Sequence, residues 1–153
     1  MLMKKRYLAG LGALLLANLA QAGNLMVHDA WVRAMPPTAR ALPLYLTLHN
    51  GTAKPVSLTA ITTSDGRVEL HQSLHEGDKV KMQRLEHIEI APNDMVSLAP
   101  MGLHGMILDM SRVPAEGETL HFVAHFDDGS QSQIDAQVVK AATDMASGHE
   151  HHH

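Results

Sequence analysis

Cysteine is absent from this 153-residue chain, and that absence excludes several chemistries at once. No disulfide can brace the fold, and neither a thiolate zinc cage nor a thiolate-ligated blue-copper centre can be built. Cationic charge is scarce in most of the chain. Lys4, Lys5 and Arg6 supply three of the 12 basic residues, and the first 22 residues hold none of the 16 acidic ones. Without that segment the balance is 9 against 16, or −7 with neutral histidines. Such a surface excludes nucleic acid as an expected partner and leaves a cationic metal or a basic protein patch. Long runs of helical period are also missing beyond the first residues, and no later stretch is apolar enough to cross a bilayer.

What the amino-terminal residues do contain is a secretory pattern. A short basic start precedes an apolar run from Leu8 to Ala20, and Ala20-Gln21-Ala22 supplies small residues for cleavage before Gly23. The run is short for a membrane span, so residues 1–22 are read as a cleaved signal peptide and the mature protein as periplasmic, with no membrane span. The remaining 131 residues suit one domain with a real core.

Period-2 alternation dominates that domain. Expected strands are 25–33, 42–50, 56–63, 67–72, 79–90, 95–98, 104–110, 119–126 and 131–140, separated by turn residues such as Asn50-Gly51, Asp65-Gly66, Gly77-Asp78 and Asp127-Asp128-Gly129. Many short strands at this spacing predict an all-β, Greek-key sandwich or barrel. The paired prolines of "AMPPTAR" (34–40) predict an extended connection. The domain is expected over 23–141, followed by a polar tail over 142–153.

Within this pattern, histidine and methionine keep company. In "GLHGMILDM" (102–110), His104 and Met106 fall on one face of an extended chain. His71 closes "RVELH" and Met82 lies in "KVKMQ", so the full spacing is H-x10-M-x21-H-x-M. Two thioethers with two imidazoles form a soft, neutral donor set suited to Cu(I), whereas Zn(II) and harder cations favour thiolate or carboxylate. Taken singly, each residue has an ordinary reading: methionine as core filler, histidine as a surface or hydrogen-bonded group. No carboxylate sits in the motif to serve as a general base, and no nucleophile is recognisably placed beside a histidine.

The spacing, together with "DAWVRAMPP" (29–37), "LYLTLHN" (44–50), "RVELHQ" (67–72) and "LAPMGLHGMIL" (98–108), closely resembles the PCu(A)C family of periplasmic copper chaperones. The resemblance implies a cupredoxin-like β-sandwich that binds one Cu(I) through His71, Met82, His104 and Met106. It also implies a non-enzymatic role in supplying copper to an acceptor, cytochrome c oxidase subunit II or its assembly factors. The chain departs from the family pattern at Gln72, at Pro43, and at the Met101-Gly102 pair where two glycines are common. Met101, three residues before His104, is placed to cover the site or to substitute as a donor.

The other histidines carry less. His75 is expected in a turn beside the site. His121 and His125 share the polar face of "TLHFVAHF" without a thioether neighbour, and His28, His49 and His87 are read as structural or surface residues. The tail holds Met145, His149, His151, His152 and His153, with Glu150 interrupting the run. An engineered tag is the alternative, but the interruption favours a native tail whose imidazoles suit Cu(II).

Overall fold

The computed structural model describes residues 24–141; the expected signal peptide (1–22) and the tail (142–153) lie outside the described residues. Ten strands follow one another: β1 (Leu25–Arg33), β2 (Leu42–Asn50), β3 (Val56–Thr63), β4 (Gly66–Glu76), β5 (Lys79–Leu85), β6 (Ile88–Ile90), β7 (Met95–Leu98), β8 (Leu103–Leu108), β9 (Thr119–Phe126) and β10 (Gln131–Val139). No helix occurs among the described residues.

Alternation along β2 shows how the core forms. Leu42, Leu44, Leu46 and Leu48 are each at most 2% exposed and point inward, while Pro43, Thr47 and His49 remain partly exposed on the other face. β9 repeats the logic, with Leu120, Phe122, Ala124 and Phe126 buried and the His121/His125 face outward as expected. Burying each such leucine or phenylalanine contributes about 1.5–3 kcal/mol, and together these faces meet in one continuous core.

The strands run in the order β4-β8-β2-β1-β10-β9-β3, and β3 pairs back to β4, closing a seven-stranded barrel. β1 and β10 pair in parallel, while the other ladders are antiparallel. β5 extends the sheet beyond β4, β6 lies on β3, and β7 continues along β2 beyond β8. Closure depends on a tight β3–β4 corner: a Cβ at Gly66 would sit 2.5 Å from the Leu108 carbonyl oxygen, so only glycine lets β4 pass β8 there.

Several boundaries differ from those the alternation predicts. The segment 79–90 is two strands, because the chain breaks at Glu86–His87 and Ile88–Ile90 turns inward to pair with β3. β4 runs on through Glu76, so His75 is in a strand opposite Val80 and not in the turn. β8 stops at Leu108, since Asp109 takes a left-handed φ of 57°. The connection over 34–40 is not uniformly extended: the Ala39 N–H donates to the Pro36 carbonyl at 2.9 Å and makes a turn.

One buried polar residue ties the far end of the barrel together. Asn50 is fully buried, its amide donates to the carbonyls of Lys54 (2.8 Å) and Ile90 (3.0 Å), and its Oδ1 accepts from the Thr52 N–H at 3.0 Å. A polar side chain tolerates such burial only when its atoms are paired in this way.

Candidate metal centre

β4 lies between β5 and β8, and the site is built on the outer face of these three strands. The register puts His71 directly opposite His104, Glu69 opposite Met106, and Ser73 opposite Met82. Period 2 therefore brings Glu69, His71 and Ser73 of β4 onto the face that carries His104 and Met106 of β8. The inward positions alternate with them: Leu70 and Ile107 are core residues, and Gly105 lets β8 approach Leu44, whose Cβ would be 3.2 Å from an added one.

The two imidazoles are fixed in complementary orientations. His71 Nε2–H donates to Glu69 Oε2 at 2.9 Å, and His104 Nδ1–H donates to the Gly102 carbonyl at 3.0 Å. Those acceptors select the tautomers, so the lone pairs reside on His71 Nδ1 and His104 Nε2. Both of these nitrogens are buried and, among the described residues, have no hydrogen-bond partner. The rings are 5.8 Å apart, inclined at 68°. Buried imidazole nitrogens are ordinarily paired, and a soft metal ion is the partner this donor chemistry would accept.

Around the pair, other groups hold the geometry. Arg67 donates to Glu69 and, through Nε, to Asp109 at 2.9 Å. The hydrogen bonds from His71 and then Arg67 hold the Glu69 carboxyl below the usual carboxylate range. The Gly102 carbonyl also accepts the Ser73 N–H at 3.1 Å, and the Ser73 hydroxyl donates to Met82 Sδ at 3.5 Å. Met106 is half-buried and Met82 is 52% exposed, so the thioether side is open to solvent.

Met101 lies in the turn that leads into β8. It is the third residue of a turn in which the Gly102 N–H donates to the Ala99 carbonyl at 3.1 Å, with Pro100 second and a Met101 φ of 70°. That is the type II pattern, whose third position favours glycine. Met101 is 75% exposed, and its carbonyl accepts from His75 Nε2 at 3.0 Å.

All four residues singled out in the sequence thus lie on three adjacent strands. The supporting groups were not singled out: Glu69, Ser73 and the Gly102 carbonyl. Glu69 had a visible signal, because Glu-x-His on a strand puts carboxylate and imidazole on one face. The Gly102 carbonyl had none. Elsewhere, His121 Nδ1 donates to Asp135 at 2.6 Å and His125 Nε2 is 2.8 Å from the Thr62 hydroxyl, so each has its own partner. Among the described residues, no three His, Asp or Glu side chains converge as a site for a harder metal.

Residues 25–138 match the LpqE-like lipoprotein family, the family of PCuAC domains. The chain belongs to it. As a PCuAC protein it superposes on the copper-bound PCuAC domain from PmoF2 with a TM-score of 0.65 at 23% identity, over 78% of this chain and 95% of that one. That likeness establishes the fold. The solution structure of Cu(I)-DR1885 from Deinococcus radiodurans matches at 27% identity with a TM-score of 0.59, covering 72% of this chain and 75% of that one. Its apo form gives 28% identity and a TM-score of 0.60, over 80% and 83% of the two chains. No curated protein matches the chain.

Proposed function

We propose that this PCuAC protein is an exported Cu(I) metallochaperone that holds one ion tightly through His71 Nδ1, His104 Nε2 and the thioethers of Met82 and Met106. The observation that carries the reading is the pair of buried, unpartnered imidazole nitrogens whose tautomers are preset by Glu69 and Gly102. Copper-bound structures of relatives support it.

The geometry suits a donor more than a catalyst. The histidines are anchored on a rigid sheet, while Met82 stands at the solvent edge. An acceptor's ligands can displace the exposed thioether first and the imidazoles afterwards, so the ion passes by stepwise exchange. Neutral thioethers release Cu(I) more readily than a closed thiolate cage would, and they need no deprotonation. The acceptor, by family resemblance, is the dinuclear copper centre of cytochrome c oxidase subunit II or one of its assembly factors.

Anaerobic Cu(I) titration against a chromogenic chelator, with X-ray absorption to count sulfur and nitrogen neighbours, tests the site. Met82→Leu and Met106→Leu nearly conserve volume and should cost under about 1.5 kcal/mol of stability, yet weaken Cu(I) binding sharply. Parent-like affinity in both variants would make these residues packing and not ligands. Failure of the loaded protein to metallate a subunit II copper domain would remove that acceptor.

A further inference from the structure

A second set of two methionines and two histidines occupies the opposite end of the barrel's outer surface. His49 of β2 pairs directly with Met26 of β1 on one side and Met95 of β7 on the other. Residues directly opposite in a sheet point to the same face, with Cβ atoms about 5 Å apart. His28 follows Met26 at the period-2 position and pairs with Thr47, so it shares that face and lies diagonal to His49. The inward residues Leu48 and Asn50 are fully buried, whereas Met26 is 52% exposed and Met95 56% exposed.

The residues are distributed over three neighbouring strands as in the first site, although the facing pairs differ. There, β8 carries a histidine and a methionine two residues apart, the central strand β4 carries His71, and β5 carries Met82. Here, β1 carries Met26 and His28, the central strand β2 carries His49, and β7 carries Met95. The orienting device recurs too. His28 Nδ1–H donates to Asp29 Oδ2 at 2.8 Å, which leaves Nε2 with its lone pair. Asp29 reaches it from a left-handed φ of 55°, at the irregularity between His28 and Trp31 where β1 slips register against β2. Aspartate is one of the few non-glycine residues that adopt this conformation, because its short side chain can hydrogen-bond locally. On the other flank, the Met95 N–H donates to Asp94 Oδ1 at 2.8 Å, and the Asn50 N–H donates to the Asp94 carbonyl at 2.9 Å, which locks β7 to the end of β2.

We infer that Met26, His28, His49 and Met95 form a second binding site for a soft monovalent d10 cation, Cu(I) or Ag(I), separate from the His71–His104 centre. The two sites do not share a ligand. Pro43, the β2 residue opposite Met106, is six residues from His49, roughly 20 Å along the strand. Asp29 and Asp94 add negative charge beside the second set, which favours a cation over a neutral or anionic ligand. Because both of its thioethers are half exposed, where only Met82 is so in the first site, and the buried, unpartnered nitrogens among the described residues belong to His71 and His104, this site binds more weakly and exchanges faster than the first.

The test uses the full chain labelled with 13C at the methionine methyl groups and titrated with Ag(I), a redox-inert stand-in for Cu(I). The Met26 and Met95 methyl resonances should shift together, after those of Met82 and Met106, and the change should vanish when His28 and His49 are both replaced by alanine. Met26→Leu with Met95→Leu, at exposed positions that leave folding intact, should remove one bound Ag(I) and leave the Met82 and Met106 shifts as in the parent. If the Met26 and Met95 methyls stay unmoved through a threefold excess, or shift equally without the two histidines, the second site does not exist. If they shift while Met82 and Met106 do not, the second site stands and the proposed chaperone site falls.

Discussion

His71 and His104 face each other across the β4–β8 ladder with ring centroids 5.8 Å apart, and each commits one nitrogen to a protein acceptor while the other is buried and, among the described residues, unpaired. This relationship makes the site directional. Glu69 and the Gly102 carbonyl do not supply donors themselves; they decide which nitrogen of each ring can be one.

Glu69 should therefore act through His71. Glu69→Ala removes the acceptor on Nε2 and should weaken Cu(I) binding by roughly ten- to a hundredfold, with Glu69→Gln closer to the parent because its amide oxygen still accepts. The same carboxyl gives a pH signature in the metal-free protein. Its folded value lies below the ordinary one, so it contributes stability above about pH 4.3, and that contribution is lost as pH falls through the folded value. Acid unfolding followed by circular dichroism should be less steep in Glu69→Gln than in the parent. Identical acid limbs would show that the Arg67–Glu69–His71 chain does not stabilise the fold.

Proton competition should count the imidazoles. Only neutral histidine binds a metal, whereas thioether does not titrate. On acidification, the dependence of Cu(I) affinity on pH should approach two protons per ion. Replacing either His71 or His104 should reduce it to one. A slope near zero in the parent would contradict a two-histidine site.

Asn50 should be a stability residue with no part in copper binding. Its side chain satisfies the carbonyls of Lys54 and Ile90 and the Thr52 N–H from a fully buried position. Truncation leaves buried groups unpaired, at about 1–3 kcal/mol each. Asn50→Ala should thus cost about 3 kcal/mol and lower the thermal midpoint by roughly 10 °C. An unchanged midpoint would mean that water replaces these bonds.

The histidine tail and the domain should divide the two oxidation states. Deleting residues 142–153 removes His149, His151, His152 and His153, so most Cu(II) binding should be lost while tight Cu(I) binding is retained. Cu(II) spin-resonance spectra and Cu(I) chelator competition on the same variant read both effects. A deletion that cripples Cu(I) binding would make the tail part of the core site.

Much of this is legible in the amino-acid sequence, and for a physical reason. Side-chain alternation along a strand is a local property, so Leu42–Asn50, Val56–Thr63 and Thr119–Phe126 could be delimited to the residue. The four candidate donors were legible because the chemistry of thioether and imidazole is carried by residue identity. The limits of alternation show at His75 and at 79–90. A strand continues or breaks according to what pairs beside it, and β4's partner β5 and β6's partner β3 are chosen in three dimensions. Register is likewise nonlocal. No spacing in the chain says that His71 meets His104, that the Gly102 carbonyl reaches both Ser73 and His104, or that His49 stands between Met26 and Met95. Residue identity and alternation set which candidate donors exist and that they lie on strands. Barrel closure, by setting which strands are neighbours, decided which donors meet, which nitrogens stay free, and which thioethers face solvent.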